Sequence, residues 1–117
     1  MLNGKDDGIS DAQLLKRIGR TDHHAFRILI DRYSRLCYRL AYRFLRDKGK
    51  AEDISQDIML KLWRQPGLWN ENTGAKFSTW LYRVTTNAAI DSYRKHKKEL
   101  QFDDDVWEKF EDGAKSP

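Results

Sequence analysis

The 117-residue sequence predicts an all-α fold, a compact bundle of about four helices with a basic last helix and a disordered acidic tail. Three observations predict it. Apolar residues recur at steps of three and four through the long central stretches, Gly- and Pro-bearing segments fall between them, and no stretch shows strand alternation over more than four residues. The length suits one domain with a modest core and is too short for two ordinary ones. Aromatic residues make up 12% of the chain, with four Trp, which argues against intrinsic disorder in so polar a sequence.

Residues 1–9 are polar and Gly-bearing and read as a flexible N-terminus. Ser10 followed by Gln13 is a capping-box pattern, predicting a short helix from Asp11 to Ile18 that Gly19 ends. Thr21 is placed to cap the next helix. Its apolar positions are Phe26, Leu29, Ile30, Tyr33, Leu36, Cys37, Leu40, Ala41 and Phe44, and Arg27, Arg32, Arg35, Arg39 and Arg46 cover the remaining surface. Gly49 separates it from a third helix at about Lys50 to Arg64, with Ile54, Ile58 and Leu62 inward, which Pro66-Gly67 stops. Residues 66–76 hold no helical period and form a loop that contains Trp69. Ser78 is placed to cap a fourth helix reaching Lys98, with Leu81, Val84, Ala88 and Ser92 on the packed side. The domain is therefore expected over 10–98, with 99–117 as an acidic linker or tail.

Net charge is +4 and pI about 9.2, a mild bias toward acidic partners. The distribution says more. Residues 81–98 carry five Lys/Arg against Asp91, whereas 99–117 carry seven Asp/Glu against Lys109 and Lys115, and such a reversal marks a boundary. Cys37 is the single cysteine, so no intramolecular disulfide is possible. The apolar runs are too short for a membrane span, and no basic-then-apolar leader opens the sequence, so a cytoplasmic protein is expected. The adjacent His23 and His24 point about 100° apart on a helix and share a metal poorly. No base stands beside a candidate nucleophile, and no Gly-rich phosphate loop is present. No catalytic residue, metal or cofactor is expected.

Two constellations remain. On the third helix Glu52, Asp53, Gln56 and Asp57 are grouped away from the apolar stripe. Favourable interaction with the helix dipole accounts for Glu52 and Asp53 near the expected start, but less well for Gln56 and Asp57 a turn later; docking to a basic partner is the alternative. On the fourth helix Arg83, Asn87 and Arg94 share one face, and Arg and Asn read base edges well. Lys95 and Lys98 extend the charge and can neutralise phosphates. Ahead of them, Trp69, Asn70, Asn72 and Lys76 combine an aromatic plane with hydrogen-bonding groups, a set able to hold an unstacked base. The competing explanation is a basic helix end favoured by its dipole and a Trp folded back on the core. Loop and helix together favour DNA.

The stretch AEDISQDIMLKLWR (51–64), a short loop, and GAKFSTWLYRVTTNAAIDSYRKHKK (74–98) resemble region 2 of extracytoplasmic-function (ECF) sigma factors. The resemblance runs from about Asp11 to Lys98. It rests on Phe77, Trp80, Leu81, Tyr82, Arg83, Asn87, Ile90, Asp91 and Arg94 at the family's spacing, together with Asp53, Gln56 and Asp57 as the family's D-x-x-Q-acid pattern. It implies a domain that binds the β′ clamp helices of core RNA polymerase through Glu52, Asp53, Gln56 and Asp57. It also implies recognition and melting of the promoter −10 element. Residues 69–76 are then expected to capture a flipped base of the non-template strand, Arg83, Asn87 and Arg94 to contact the upstream edge, and Lys95 and Lys98 to lie on phosphates. An anti-sigma factor is implied as a further partner.

The sequence also departs from the family pattern. The loop reads Trp69-Asn70-Glu71-Asn72-Thr73 where relatives often carry Asp-Pro and Arg, leaving the captured base open. Arg83 and Val84 stand where primary sigma factors carry a Trp pair that wedges the duplex, which implies weaker melting and stricter promoter choice. Whole members of the family also carry a region 4 that reads the −35 element, and none is expected within 99–117. The alternative reading is a helical adaptor that docks on polymerase or an anti-sigma factor without reading DNA. A helix-turn-helix repressor fits poorly, because the loop before the last helix is too long for its tight turn.

Overall fold

A computed structural model describes the backbone of residues 8–111 and the side chains of residues 8–99. Four α-helices follow in chain order: α1, Asp11–Ile18; α2, His23–Leu45; α3, Lys48–Arg64; and α4, Phe77–Glu111. No strand occurs among the described residues. The capping box forms as expected, with Ser10 Oγ accepting from Gln13 N at 3.1 Å and Gln13 Oε1 accepting from Ser10 N at 3.2 Å.

Three helix starts differ from those expected, two of them because a neighbouring Asp satisfies a free N–H group. Asp22, not Thr21, caps α2 by accepting from Ala25 N at 3.1 Å, while Thr21 takes up the left-handed turn at φ 60°. Asp47 caps α3 by accepting from Lys50 N at 3.0 Å, so Gly49 lies inside the helix. The break between α2 and α3 falls instead at Arg46, whose φ of 53° reverses the chain within two residues. Ser78 lies inside the first turn of α4, whose opening carbonyl is that of Lys76, bonded to Trp80 N at 3.0 Å.

α2 is the hub. The Ser55 hydroxyl donates to the Ser34 carbonyl at 3.0 Å, and Trp63 packs on His23 and Phe26 at the other end of the pair, so α3 runs antiparallel to α2. Tyr33 meets Phe77 and Cys37 meets Thr85, so α4 runs parallel to α2. Leu14, Ile18, Leu29, Leu62, Phe77 and Leu81 are almost fully enclosed at the junction of the helices. Each such side chain contributes about 1.5–3 kcal/mol through removal from water. On α2 the expected stripe is buried or half-buried except Phe44, which is exposed, and Ala25 and Ile28 join it.

α1 is tied to α2 by polar contacts. Arg32 Nη1 pairs with Asp11 Oδ1 at 2.9 Å, and the Tyr33 hydroxyl donates to Asp11 Oδ2 at 2.6 Å. Arg32 Nη2 also donates to the Ile9 carbonyl at 2.6 Å, so Ile9 belongs to the packed domain and not to a flexible end. The rest of the expected N-terminal segment, 1–7, lies outside the described residues.

At the other end, α4 runs to Glu111, where a disordered acidic tail from residue 99 was expected. No Gly or Pro occurs between Phe77 and Asp112, so nothing in the sequence breaks the helix where the charge reverses. At 35 residues α4 is about 52 Å long. Residues 112–117 of the expected tail lie outside the described residues.

Candidate docking and nucleic-acid surfaces

α3 separates its two faces cleanly. Ala51, Ile54, Ser55, Ile58, Met59 and Leu62 are buried, while Glu52, Asp53, Gln56 and Asp57 are all exposed. With the start of α3 at Lys48, its first turn contains no acidic residue. Glu52 and Asp53 therefore lie beyond the turn where the dipole acts most strongly, and that explanation weakens for both. None of the acidic residues forms an ion pair with a described residue. Beside this face, a groove of about 870 Å³ runs between α2 and α3. Phe26, Ile30 and Met59 lie on its apolar side, Arg35 and Arg39 on the α2 rim, and Glu52 and Gln56 on the α3 rim.

The segment between α3 and α4 is more ordered than a loop without helical period predicts. Pro66–Leu68 and Glu71–Thr73 each form a 3₁₀ turn. Asn70 caps the second, its side-chain oxygen accepting from Asn72 N at 2.8 Å, and Gly74 closes it at φ 83°. A residue with a Cβ is strained at that angle, which is why glycine suits the position.

Trp69 corrects the sequence-based expectation most. Its side chain is only 7% exposed, it packs edge-on against Phe77 with centroids 5.4 Å apart, and its indole N–H donates to the Ala75 carbonyl at 2.8 Å. An indole gains by burying its large apolar surface provided the N–H finds an acceptor, and both conditions are met here. The ring is folded inward against Phe77, with little of its surface left to solvent. Asn70, Asn72 and Lys76 remain exposed.

On α4 the buried stripe is Phe77, Leu81, Thr85 and Ala89, with Val84, Ala88 and Ser92 half-buried beside it. Arg83, Asn87 and Arg94 are exposed, and the helical repeat points all three away from that stripe. Arg83 and Arg94 are eleven residues apart, about 16 Å along the axis. Lys95 and Lys98 are exposed beyond them. Lys50 Nζ contacts His96 Nδ1 at 2.9 Å, bringing the start of α3 to the basic end of α4. That neighbour had no sequence signal, because 46 residues separate the pair. The acidic and basic sets thus occupy different helices.

Cys37 lies fully inside, with the Thr85 hydroxyl donating to its Sγ at 3.4 Å. Burial pushes the thiol pKa above its ordinary value, more strongly than the hydrogen bond from Thr85 lowers it. No group of three or more His, Cys, Asp or Glu able to hold a metal occurs among the described residues. No described helix is long and apolar enough to cross a membrane.

These features define a class: a small all-α module with an unpaired acidic face on one helix and a basic, amide-bearing row on another. The chain belongs to the sigma-70 region 2 family, whose model matches residues 29–99, and its relatives include sigma factors of the ECF type. It is 37% identical over 92 residues to the ECF RNA polymerase sigma factor SigW of Bacillus subtilis, covering 79% of this chain and 48% of SigW. It is 38% identical over 88 residues to the ECF RNA polymerase sigma factor SigM of Mycobacterium tuberculosis, covering 75% of this chain and 44% of SigM. The chain therefore spans somewhat less than half the length of these relatives. Among solved structures, an engineered region 2 of sigmaE in complex with GTAAAA superposes with a TM-score of 0.66 at 30% identity, covering 80% of this chain and 96% of that one.

Proposed function

We propose that this chain is the part of an ECF sigma factor that docks on the β′ clamp helices of core RNA polymerase and recognises and melts the promoter −10 element. It acts in the cytoplasm as a DNA-binding initiation factor and performs no catalysis. The observation that carries this reading is the exposed row Arg83, Asn87 and Arg94 on α4, continuous with a built loop that presents Asn72 and Lys76. Arg and Asn are the side chains best suited to base edges, and Lys95 and Lys98 supply phosphate contacts. The likeness to an engineered region 2 of sigmaE solved in complex with GTAAAA supports the same assignment. Docking falls to Glu52, Asp53, Gln56 and Asp57, which are exposed and have no cationic partner among the described residues.

A second reading, a helical adaptor that docks without reading DNA, draws its support from the apolar groove between α2 and α3. Gel-shift binding to single-stranded −10 oligonucleotide libraries, with and without core polymerase, separates the two. A sigma domain enriches a defined sequence when core is present. An adaptor binds core and leaves the library unselected.

A further inference from the structure

The connection between α3 and α4 presents its candidate DNA-contacting groups on a segment with only two short turns of its own. What fixes its shape therefore decides whether Asn72 and Lys76 meet a strand ready-placed. We propose that Trp69 is a positioning residue that holds this loop for single-stranded DNA through its indole N–H, and that Asp11 and Tyr33 anchor it from α1 and α2. The proposal rests on the reading of the loop as a DNA contact.

The contacts form a continuous chain. The Trp69 N–H bond to the Ala75 carbonyl, at 2.8 Å, closes a ring across Asn70–Gly74, the segment that contains Asn72. Ala75 directly precedes Lys76, whose carbonyl opens α4, so the same bond fixes where the loop ends and the DNA-facing helix begins. The Trp69 ring lies edge-on to Phe77, and Phe77 lies edge-on to Tyr33 at 5.2 Å and stacks with Trp80 at 5.7 Å. The Tyr33 hydroxyl ends the chain on Asp11 at the start of α1. α1 itself carries none of the candidate docking or DNA residues, and this link gives it a part in recognition. A loop already held in its bound shape loses less conformational freedom on binding and is better able to discriminate between bases.

Replacement of Trp69 by Phe keeps an aromatic face while removing the N–H together with part of the ring that packs on Phe77, so it releases the loop without abolishing a surface on which a base could stack. The measurement is fluorescence anisotropy of the full chain with single-stranded −10 oligonucleotides carrying each base in turn at each position. Trp69→Phe is expected to weaken the preferred oligonucleotide about three- to tenfold, the worth of one hydrogen bond, and to reduce the ratio between preferred and disfavoured bases. Binding to a β′ clamp-helix fragment should not change. Adding Asn72→Ala to Trp69→Phe should cost less than it does alone, since the first change has already released the loop. Tyr33→Phe should act in the same direction. Retention of both affinity and base ratio by Trp69→Phe overturns the proposal.

If Trp69→Phe does not fold, proton NMR of the unmodified protein decides instead. A Trp69 indole N–H that stays protected, with ring protons little shifted on adding the oligonucleotide, supports positioning. A large upfield shift of those ring protons means direct stacking and overturns it. A wild-type protein that shows no base preference even with core polymerase present sinks the proposed function itself, a result distinct from an effect confined to Trp69.

Discussion

At the scale of single residues, the proposed function assigns the exposed side chains of α4 two kinds of contact. Lys95 and Lys98 are flexible point charges, so replacing either by Ala should weaken DNA binding across all sequences. Each loss should also reduce the slope of log affinity against log salt by roughly 0.7–0.9, the counterions released per phosphate contact. Arg83 and Asn87 present directional donors and acceptors, so Arg83→Ala or Asn87→Ala should relax choice at one or two base positions, by about 1–3 kcal/mol each. Salt titrations on a panel of single-base variants measure both effects. A uniform loss for all four replacements makes α4 a phosphate anchor and not a reader.

Cys37 behaves differently because burial favours its neutral thiol. The folded pKa lies above the unfolded one, so the stabilising contribution is complete below the unfolded pKa and is lost as pH rises toward the folded value. Denaturant melts should therefore show stability declining above about pH 9, the ordinary thiol value, and Cys37→Ala should remove that part of the decline. The comparison between wild type and variant isolates the thiol from the Tyr and Lys residues that titrate in the same range.

At the scale of elements, α3 is where burial and function separate most cleanly. Its apolar face is committed to the core, leaving Asp53, Gln56 and Asp57 exposed. Charge reversal by Asp53→Arg with Asp57→Arg should leave the melting temperature nearly unchanged and weaken capture of the β′ clamp-helix fragment in a pull-down, with Gln56→Ala acting in the same direction. Unchanged capture by a folded double variant removes these residues from the docking surface.

The existence of all four helices was legible in the sequence, from an apolar period in the three longer ones and from the local Ser10–Gln13 box in α1. Helix starts were less legible. Thr21 and Asp22 are both capping residues, and only the backbone shows which of them turns left-handed. Gly49 reads as a breaker, yet Asp47 supplies the acceptor that lets the helix start ahead of it. The candidate surfaces on α3 and α4 followed from the spacing of polar residues. The fate of Trp69 did not, because its ring partners, Phe77 and through it Tyr33, converge only in the folded chain.

At the scale of the whole molecule, two surfaces of opposite charge must remain accessible together, and this sets how the protein can be inhibited. The exposed acidic face of α3 attracts basic side chains, so a helical inhibitor that places such side chains on Asp53 and Asp57 is expected to compete with the clamp helices for that face. A competition titration against the β′ fragment tests this. A ternary complex of chain, fragment and inhibitor rules out direct competition and moves inhibition to the DNA face.

The central claim is that docking through α3 and DNA reading through α4 act at the same time and can be separated by mutation. The most direct measurement is recruitment of a labelled single-stranded −10 oligonucleotide to core polymerase, with wild-type chain and with Asp53→Arg/Asp57→Arg. The wild type should recruit the oligonucleotide, whereas the double variant should still bind it alone but fail to bring it to core. Recruitment by the double variant at wild-type strength, or none by the wild type while it binds core, contradicts the account.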